Sequence, residues 1–233
     1  MTTAREMANL IQEGQNIVFL TGAGVSTPSG IPDYRSMDGV YSKGEWKEPT
    51  YLLSRRALLD DPVDFHQFIK PFYQREALPN VIHEKIAQLD QSKNVTVITQ
   101  NIDGLHGLAG SQHVIEFHGT LATCHCETCK QPVEVEDFLQ HLEHVNCGGL
   151  VRPDIVLYDE QIILDRAEQT CQALTSADTL VIVGTSFSVY PFSTLLYYAT
   201  KQAKILVINQ TSLFGVDADT EFLGDATQVF ELL

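Results

Sequence analysis

Phe19-Leu-Thr-Gly-Ala-Gly-Val-Ser-Thr-Pro-Ser-Gly-Ile-Pro-Asp-Tyr-Arg35 is the stretch on which the reading of this chain turns. It begins at the end of an apolar run, Ile17–Leu20, short enough for a buried strand, and empties at once into Gly22 and Gly24. Glycine accepts positive φ and lets bare backbone N–H groups come close to a phosphate. The spacing departs from the usual G-x-G-x-x-G of dinucleotide-binding folds. Thr27 stands where the third glycine would fall, and Pro28 and Pro32 oppose a long helix. Alone, the stretch is a weak motif and reads first as a glycine turn between a strand and a loop.

The surrounding chain favours a ligand loop. Met7, Ala8 and Ile11 at helical spacing predict a helix over residues 2–14 that ends at Gly14. Strands are expected at Ile17–Leu20, Val95–Ile98, Val114–Phe117, Leu180–Val183 and Ile205–Ile208, with Val229–Phe230 as a last edge strand. Helical patterns occupy Thr50–Leu59, Pro62–Tyr73, and residues 81–91, 165–175 and 192–202. Apolar strands alternating with helices predict an α/β fold, a Rossmann-like parallel sheet covered on both faces. Residues 33–56, polar and holding the single Trp46, read as a cover after the ligand loop.

Each strand runs into small or polar residues: Gly22, Ala23 and Gly24; Gln100, Asn101 and Asp103; His118; Gly184, Thr185 and Ser186; Asn209 and Gln210. In an open parallel sheet these ends share one rim, where ligands bind. Gly22, Gly24, Ser26 and the Gly184 loop suit phosphates, Arg35 a bidentate phosphate contact, and Asn209 a ribose hydroxyl. Gln100, Asn101 and Asp103 suit an amide-bearing ring, and His118 is the candidate base. With no acidic residue closing a dehydrogenase fingerprint, NAD chemistry other than hydride transfer fits best.

The net charge of −15, from 30 acidic and 15 basic residues, opposes nucleic-acid binding and leaves a basic peptide as a possible partner. No membrane span and no signal peptide are seen, and the expected location is cytoplasmic. Four of the five cysteines crowd into residues 124–147, which points to a metal site over a disulfide framework.

Gly22-Ala-Gly-Val-Ser26, Ser29-Gly-Ile-Pro-Asp-Tyr-Arg35, Thr99-Gln-Asn-Ile-Asp-Gly-Leu-His106, His118-Gly119, Cys126-x-x-Cys129, Cys147-Gly-Gly-x-x-Arg-Pro153 and Gly184-Thr-Ser186 together resemble the sirtuin signature, of bacterial type and catalytic core alone. The resemblance implies an NAD-dependent protein lysine deacylase. A Rossmann-like domain would span 1–32, 81–119 and 155–233, with a cofactor-loop and helical insertion at 33–80 and a zinc-binding insertion at 120–154. It places His118, Asn101 and Asp103 at catalytic positions. Gly22, Ala23, Gly24, Ser26, Asp33, Tyr34, Arg35, Gln100, Ile102, Gly184, Thr185, Ser186, Asn209, Gln210 and Ala226 fall at cofactor positions. Val156, Leu157 and Tyr158 would line the acylated-lysine peptide.

The implied reaction cleaves nicotinamide from NAD, moves the acyl group to a ribose hydroxyl that His118 activates, and releases O-acetyl-ADP-ribose. A Tyr-x-x-Arg pair for acidic acyl groups is absent, since Tyr51 and Arg55 are four apart, so acetyl or another uncharged group is expected. The family's second C-x-x-C is His144-x-x-Cys147 here, which makes Cys126, Cys129, His144 and Cys147 the implied zinc ligands. Cys124, His125 and His141 are alternatives for the fourth. Two other readings stand beside deacylation: a mono-ADP-ribosyltransferase on the same scaffold, and an NAD-sensing interaction module. The oligomeric state is not legible.

Overall fold

The structure, a computed structural model, describes residues 2–32, 48–73 and 76–233. Its strands are β1 Asn16–Thr21, β2 Asn94–Thr99, β3 Val114–Glu116, β4 Gly119–Cys126, β5 Pro132–Val133, β6 Val151–Ile155, β7 Thr179–Val183, β8 Lys204–Asn209 and β9 Thr220–Leu223. Six of them form one parallel sheet in the order β3-β2-β1-β7-β8-β9. The chain winds outward from β1 to β3, then returns and winds the other way from β7 to β9. Connections from β1 and β7 therefore diverge, and a crevice opens beyond their carboxyl ends.

Alternate side chains of each strand feed two cores. Phe19 faces Met7, Ile11, Ile82, Ile86 and Phe230, whereas Val18 and Leu20 face Leu174, Ile182, Phe192 and Val207. The first helix, Ala4–Glu13, starts at a capping box in which the Thr3 hydroxyl accepts from the Glu6 N–H and the Glu6 carboxylate accepts from the Thr3 N–H. It ends before Gly14, as its spacing predicts.

Three expectations change. Thr50–Leu59 is two helices, Pro49–Leu52 and Arg55–Asp60, because Ser54 is extended and caps the second by accepting from the Ala57 N–H. Residues 192–202 hold a 3-10 helix, Phe192–Tyr198, in place of an α-helix. Val229 and Phe230 lie in the helix Thr227–Phe230, not a strand, with the Phe230 ring 6.2 Å from Phe19. The edge strand is β9, in which only Phe222 is buried, so it lacks the apolar run that marks its neighbours.

β4, β5 and β6 make a separate antiparallel sheet. Its inner face packs Cys124, Phe138, Val151, Ile155 and Leu157 against Leu58, Phe65 and Ile69. Helices from the 33–80 insertion and strands from the 120–154 insertion thus share one small core. Among the described residues no helix is long and apolar enough to cross a membrane.

Candidate active site and metal centre

The loop after β1 turns through two short 3-10 segments, Ala23–Val25 and Thr27–Ser29, and Gly30 closes it at φ +82°. Pro28 sits in the second segment, so no long helix follows. Ala23 and Gly24 stay partly open while Gly22, Val25 and Ser26 are buried, which presents backbone to the crevice. Across the crevice, Gly24 N–H donates to the Gly184 carbonyl at 2.8 Å. A Cβ on Gly24 would lie 2.7 Å from Gly184 Cα, and one on Gly184, at φ +59°, would lie 2.7 Å from Gly24 C. The two glycine loops therefore meet main chain to main chain, where any side chain would force them apart.

Behind this loop the Thr99–Asp103 turn is wired to it. Asn101 Nδ2 donates to the Gly22 carbonyl and to Ser26 Oγ, both at 3.1 Å. Ser26 Oγ donates to Asp103 Oδ2 at 2.7 Å, and Asp103 Oδ1 accepts from the Leu105 N–H at 3.0 Å. The Ser26 hydroxyl is thus spent on Asp103. Gln100 Nε2 donates to Thr185 Oγ1 at 2.7 Å, which also accepts from the Phe187 N–H. Leu121 N–H ties β4 to the Ile102 carbonyl at 3.0 Å.

His118 follows β3, and its Nδ1 lies 3.2 Å from the Gln100 carbonyl. A carbonyl only accepts, so Nδ1 carries the proton and Nε2 the lone pair. Burial lowers the imidazole pKa against a smaller rise from the Gln100 bond, which keeps the ring neutral and basic at neutral pH.

Farther along the rim, Ser186 Oγ is 2.8 Å from Ser188 Oγ, Asn209 Nδ2 donates to the Thr211 carbonyl, and Gln210 is exposed. Ala226 packs into the sheet core. Asp33, Tyr34 and Arg35 lie outside the described residues, as does most of the 33–56 cover. Val156 is half-buried, Leu157 buried and Tyr158 exposed.

The sequence reading passes over Asn80, His83 and His106. Asn80 Nδ2 donates to the Val25 carbonyl and to Ser29 Oγ, both at 2.8 Å, strapping the loop from below. His106 Nε2 lies 3.1 Å from Thr21 Oγ1, and its ring is 4.7 Å from that of His83. Burial lowers both histidines, His83 to about 4 and His106 to about 3. Only His106 lies within a quoted motif, and nothing in its spacing signals this partner.

Cys126, Cys129, His144 and Cys147 bring their ligand atoms within 4.8 Å of one another. Cys126 Sγ is 3.4 Å from Cys147 Sγ, too long for a disulfide, and His144 Nδ1 is 3.3 Å from both Cys129 Sγ and Cys147 Sγ. A zinc tetrahedron with Zn–S near 2.3 Å has edges of about 3.8 Å, so the donor set fits the ion. Burial raises the Cys126 thiol, but the Cys129 and Thr128 N–H groups and the neighbouring thiols outweigh it and bring it to about 6. The alternatives are engaged elsewhere, Cys124 with Tyr73 and His125 with Asp154, and His141 is not in the cluster. With four protein ligands, zinc here would be structural.

The model of the Sir2 family matches residues 22–191. The chain belongs to the Sir2 family. It is 50% identical over 212 residues to an NAD-dependent protein deacetylase of Enterococcus faecalis, covering 91% of this chain and 89% of the relative. An NAD-dependent protein deacetylase of Listeria innocua is 50% identical over 221 residues, covering 94% and 96%. Among solved structures, a Sir2 complex with p53 peptide and NAD+ aligns with a TM-score of 0.86 at 30% identity, covering 99% of this chain and 96% of that one. The short 3-10 turns after β1 and the second small core set this chain apart from a plain dinucleotide fold.

Proposed function

We propose that this Sir2 chain is an NAD-dependent protein lysine deacetylase in which His118 is the general base. The observation that carries the reading is the His118–Gln100 bond, which fixes the tautomer and leaves Nε2 to accept a proton. When bound, NAD supplies the bond to nicotinamide that breaks and the ribose hydroxyl that receives the acyl group. The protein supplies position and one base. Asn101 and Asp103, locked by Gly22, Ser26 and Leu105, hold fixed polar atoms beside the glycine loop. Ala23 offers main chain to the phosphates while Gly24 ties the loop to Gly184, Ser186 and Asn209 stand farther along the rim, and Asp33, Tyr34 and Arg35 begin the cover.

Acylated-lysine proteins or peptides would lie along Val156, Leu157 and Tyr158, helped by the acidic balance of the chain when the peptide is basic. Arg55 is held by Glu127 and Glu160, and the Tyr51 hydroxyl by Asp61, so neither is offered to an acidic acyl group. This supports acetyl or another uncharged group. A cluster of thiols suited to zinc and the acidic composition agree with a cytoplasmic location.

Incubation with an acetyl-lysine peptide and NAD is expected to yield nicotinamide and O-acetyl-ADP-ribose in equal amounts. His118→Ala should reduce turnover at least ~100-fold while the NAD affinity, read by calorimetry, stays within about twofold. Protein-bound ADP-ribose without peptide deacetylation would identify a transferase instead.

A further inference from the structure

Arg152, on β6, has a side chain only 5% exposed. A buried guanidinium is costly unless every donor is met, and here all three nitrogens are used. Nη1 meets Glu127 Oε1 at 3.1 Å and Glu160 Oε1 at 2.5 Å. Nη2 donates to Glu160 Oε2 at 2.9 Å and to the Ile155 carbonyl at 2.5 Å, and Nε to the Pro153 carbonyl at 3.2 Å. Arg55 adds a second cation, with Nη1 3.1 Å from both Glu127 Oε1 and Glu160 Oε1.

What these four side chains join is more informative than their number. Glu127 sits inside the Cys126-x-x-Cys129 loop, between two zinc ligands, with its N–H donating to the Leu150 carbonyl at 2.8 Å. Glu160 Oε2 accepts from the Leu157 N–H at 2.9 Å, and the Glu160 N–H returns to the Leu157 carbonyl at 3.1 Å. The N–H groups on either side are anchored as well, Val156 to the His118 carbonyl at 2.7 Å and Tyr158 to the Leu53 carbonyl at 2.9 Å. The segment 156–158 is therefore pinned at one end to the residue read as the base. Its middle is pinned through Glu160 and Arg152 to the metal loop. A bidentate carboxylate–guanidinium pair transmits position because its two bonds fix an angle as well as a distance.

We propose that Arg152 and Glu160 are positioning residues for the acyl-lysine peptide, setting the 156–158 segment from the zinc loop through Glu127. The assignment rests on the reading of Val156–Tyr158 as the peptide strand. It makes metal occupancy a determinant of peptide affinity that acts apart from the NAD rim. The Asn101–Ser26–Asp103 network shares no residue with the Glu127–Arg152–Glu160 chain.

Glu160→Gln keeps the shape and removes the charge; Arg152→Lys keeps the charge and removes the second bond. Each is expected to raise the peptide KM, and the peptide Kd measured by calorimetry, about tenfold, with kcat at saturating peptide and the NAD Kd within about twofold. Zinc removal with a chelator, followed by the same two titrations, should weaken the peptide more than NAD in wild-type protein. Zinc restored to the wild-type protein should restore the peptide Kd. An unchanged peptide Kd in Glu160→Gln, or an equal loss of NAD affinity, would overturn the proposal. Hydrogen exchange separates it from its premise. If wild-type residues 156–158 gain no protection on binding acetyl-peptide, the strand reading has failed. If they are protected and Glu160→Gln still binds normally, the positioning role alone has failed.

Discussion

At the rim of the parallel sheet, Gly22, Gly24 and Gly184 meet through main chain, and neutral amides and hydroxyls from Gln100, Asn101, Ser26 and Thr185 complete the wiring. In the three-stranded module the work falls to a Cys₃His cluster and to Arg152 clamped between Glu127 and Glu160. The rim rests on a sheet with two apolar cores, so short hydrogen bonds suffice to place its loops. The module has one small core, and small cores commonly need a metal or another cross-link. One region owes its geometry to close backbone packing, the other to charge and coordination.

The largest effect should come from removing the metal. Chelation, or Cys126→Ser, is expected to lower the local stability of residues 120–154 by at least about 5 kcal/mol. That is less than isolated zinc fingers lose, because Phe65, Phe138 and Val151 keep a core of their own. Hydrogen exchange should show the module opening while β1, β2 and β7 stay protected; loss of protection across both sheets would erase the distinction between the two regions.

Next come the rim glycines. Gly184→Ala combines a positive φ with a Cβ only 2.7 Å from the Gly24 backbone, and is expected to cost about 2–4 kcal/mol in urea unfolding. Gly30→Ala, at φ +82° but facing open space, should cost only about 1 kcal/mol. Equal losses would mean that conformation alone, and not the close approach, matters at the rim.

The sheet side should also carry the acid sensitivity. His83 and His106 are neutral when folded, with pKa values lowered to about 4 and about 3, and take a proton near pH 6.5 when unfolded. Their effect on stability is absent above pH 6.5 and becomes a loss as pH falls toward those lower values, with a full slope of about 1.4 kcal/mol per pH unit for each histidine. His106→Gln should shallow the acid side of a stability–pH curve between pH 6 and 4 by up to about 1.4 kcal/mol per pH unit. A curve of unchanged slope would place the sensitivity on other groups.

The smallest effect lies just after the module. Asp159 is held at φ +72° on an exposed turn, a backbone region that glycine occupies freely. Asp159→Gly is expected to stabilise the protein by about 0.5–1 kcal/mol in thermal melts, since aspartate tolerates this region less well than glycine.

Much of this is legible in the sequence. Val95–Ile98 and Leu180–Val183 are apolar enough to be buried on both faces, and the polar residues after each strand mark one rim whatever the strand order. The crowded cysteines pointed to a metal site, the resemblance to the sirtuin signature added His144 with Cys124, His125 and His141 as alternatives, and folding brings Cys126, Cys129, His144 and Cys147 together. Other features left no trace in spacing. β9 buries a single side chain, and Val229–Phe230 look like a strand until Phe19 is seen beneath them. His83 and His106 are far apart in sequence and meet only because two connections cross under the same loop.

By itself, then, the sequence determined the α/β class, the family and the polar residues that follow each strand, because strand hydropathy, glycine placement and motif spacing are local properties. The tertiary structure decided what those residues touch. Gly24 is glycine because Gly184 approaches it, Ser26 serves Asp103, and Glu127 reaches the 156–158 segment through Arg152. These are contacts between segments brought together by folding, and sequence spacing carries no record of which segments will meet.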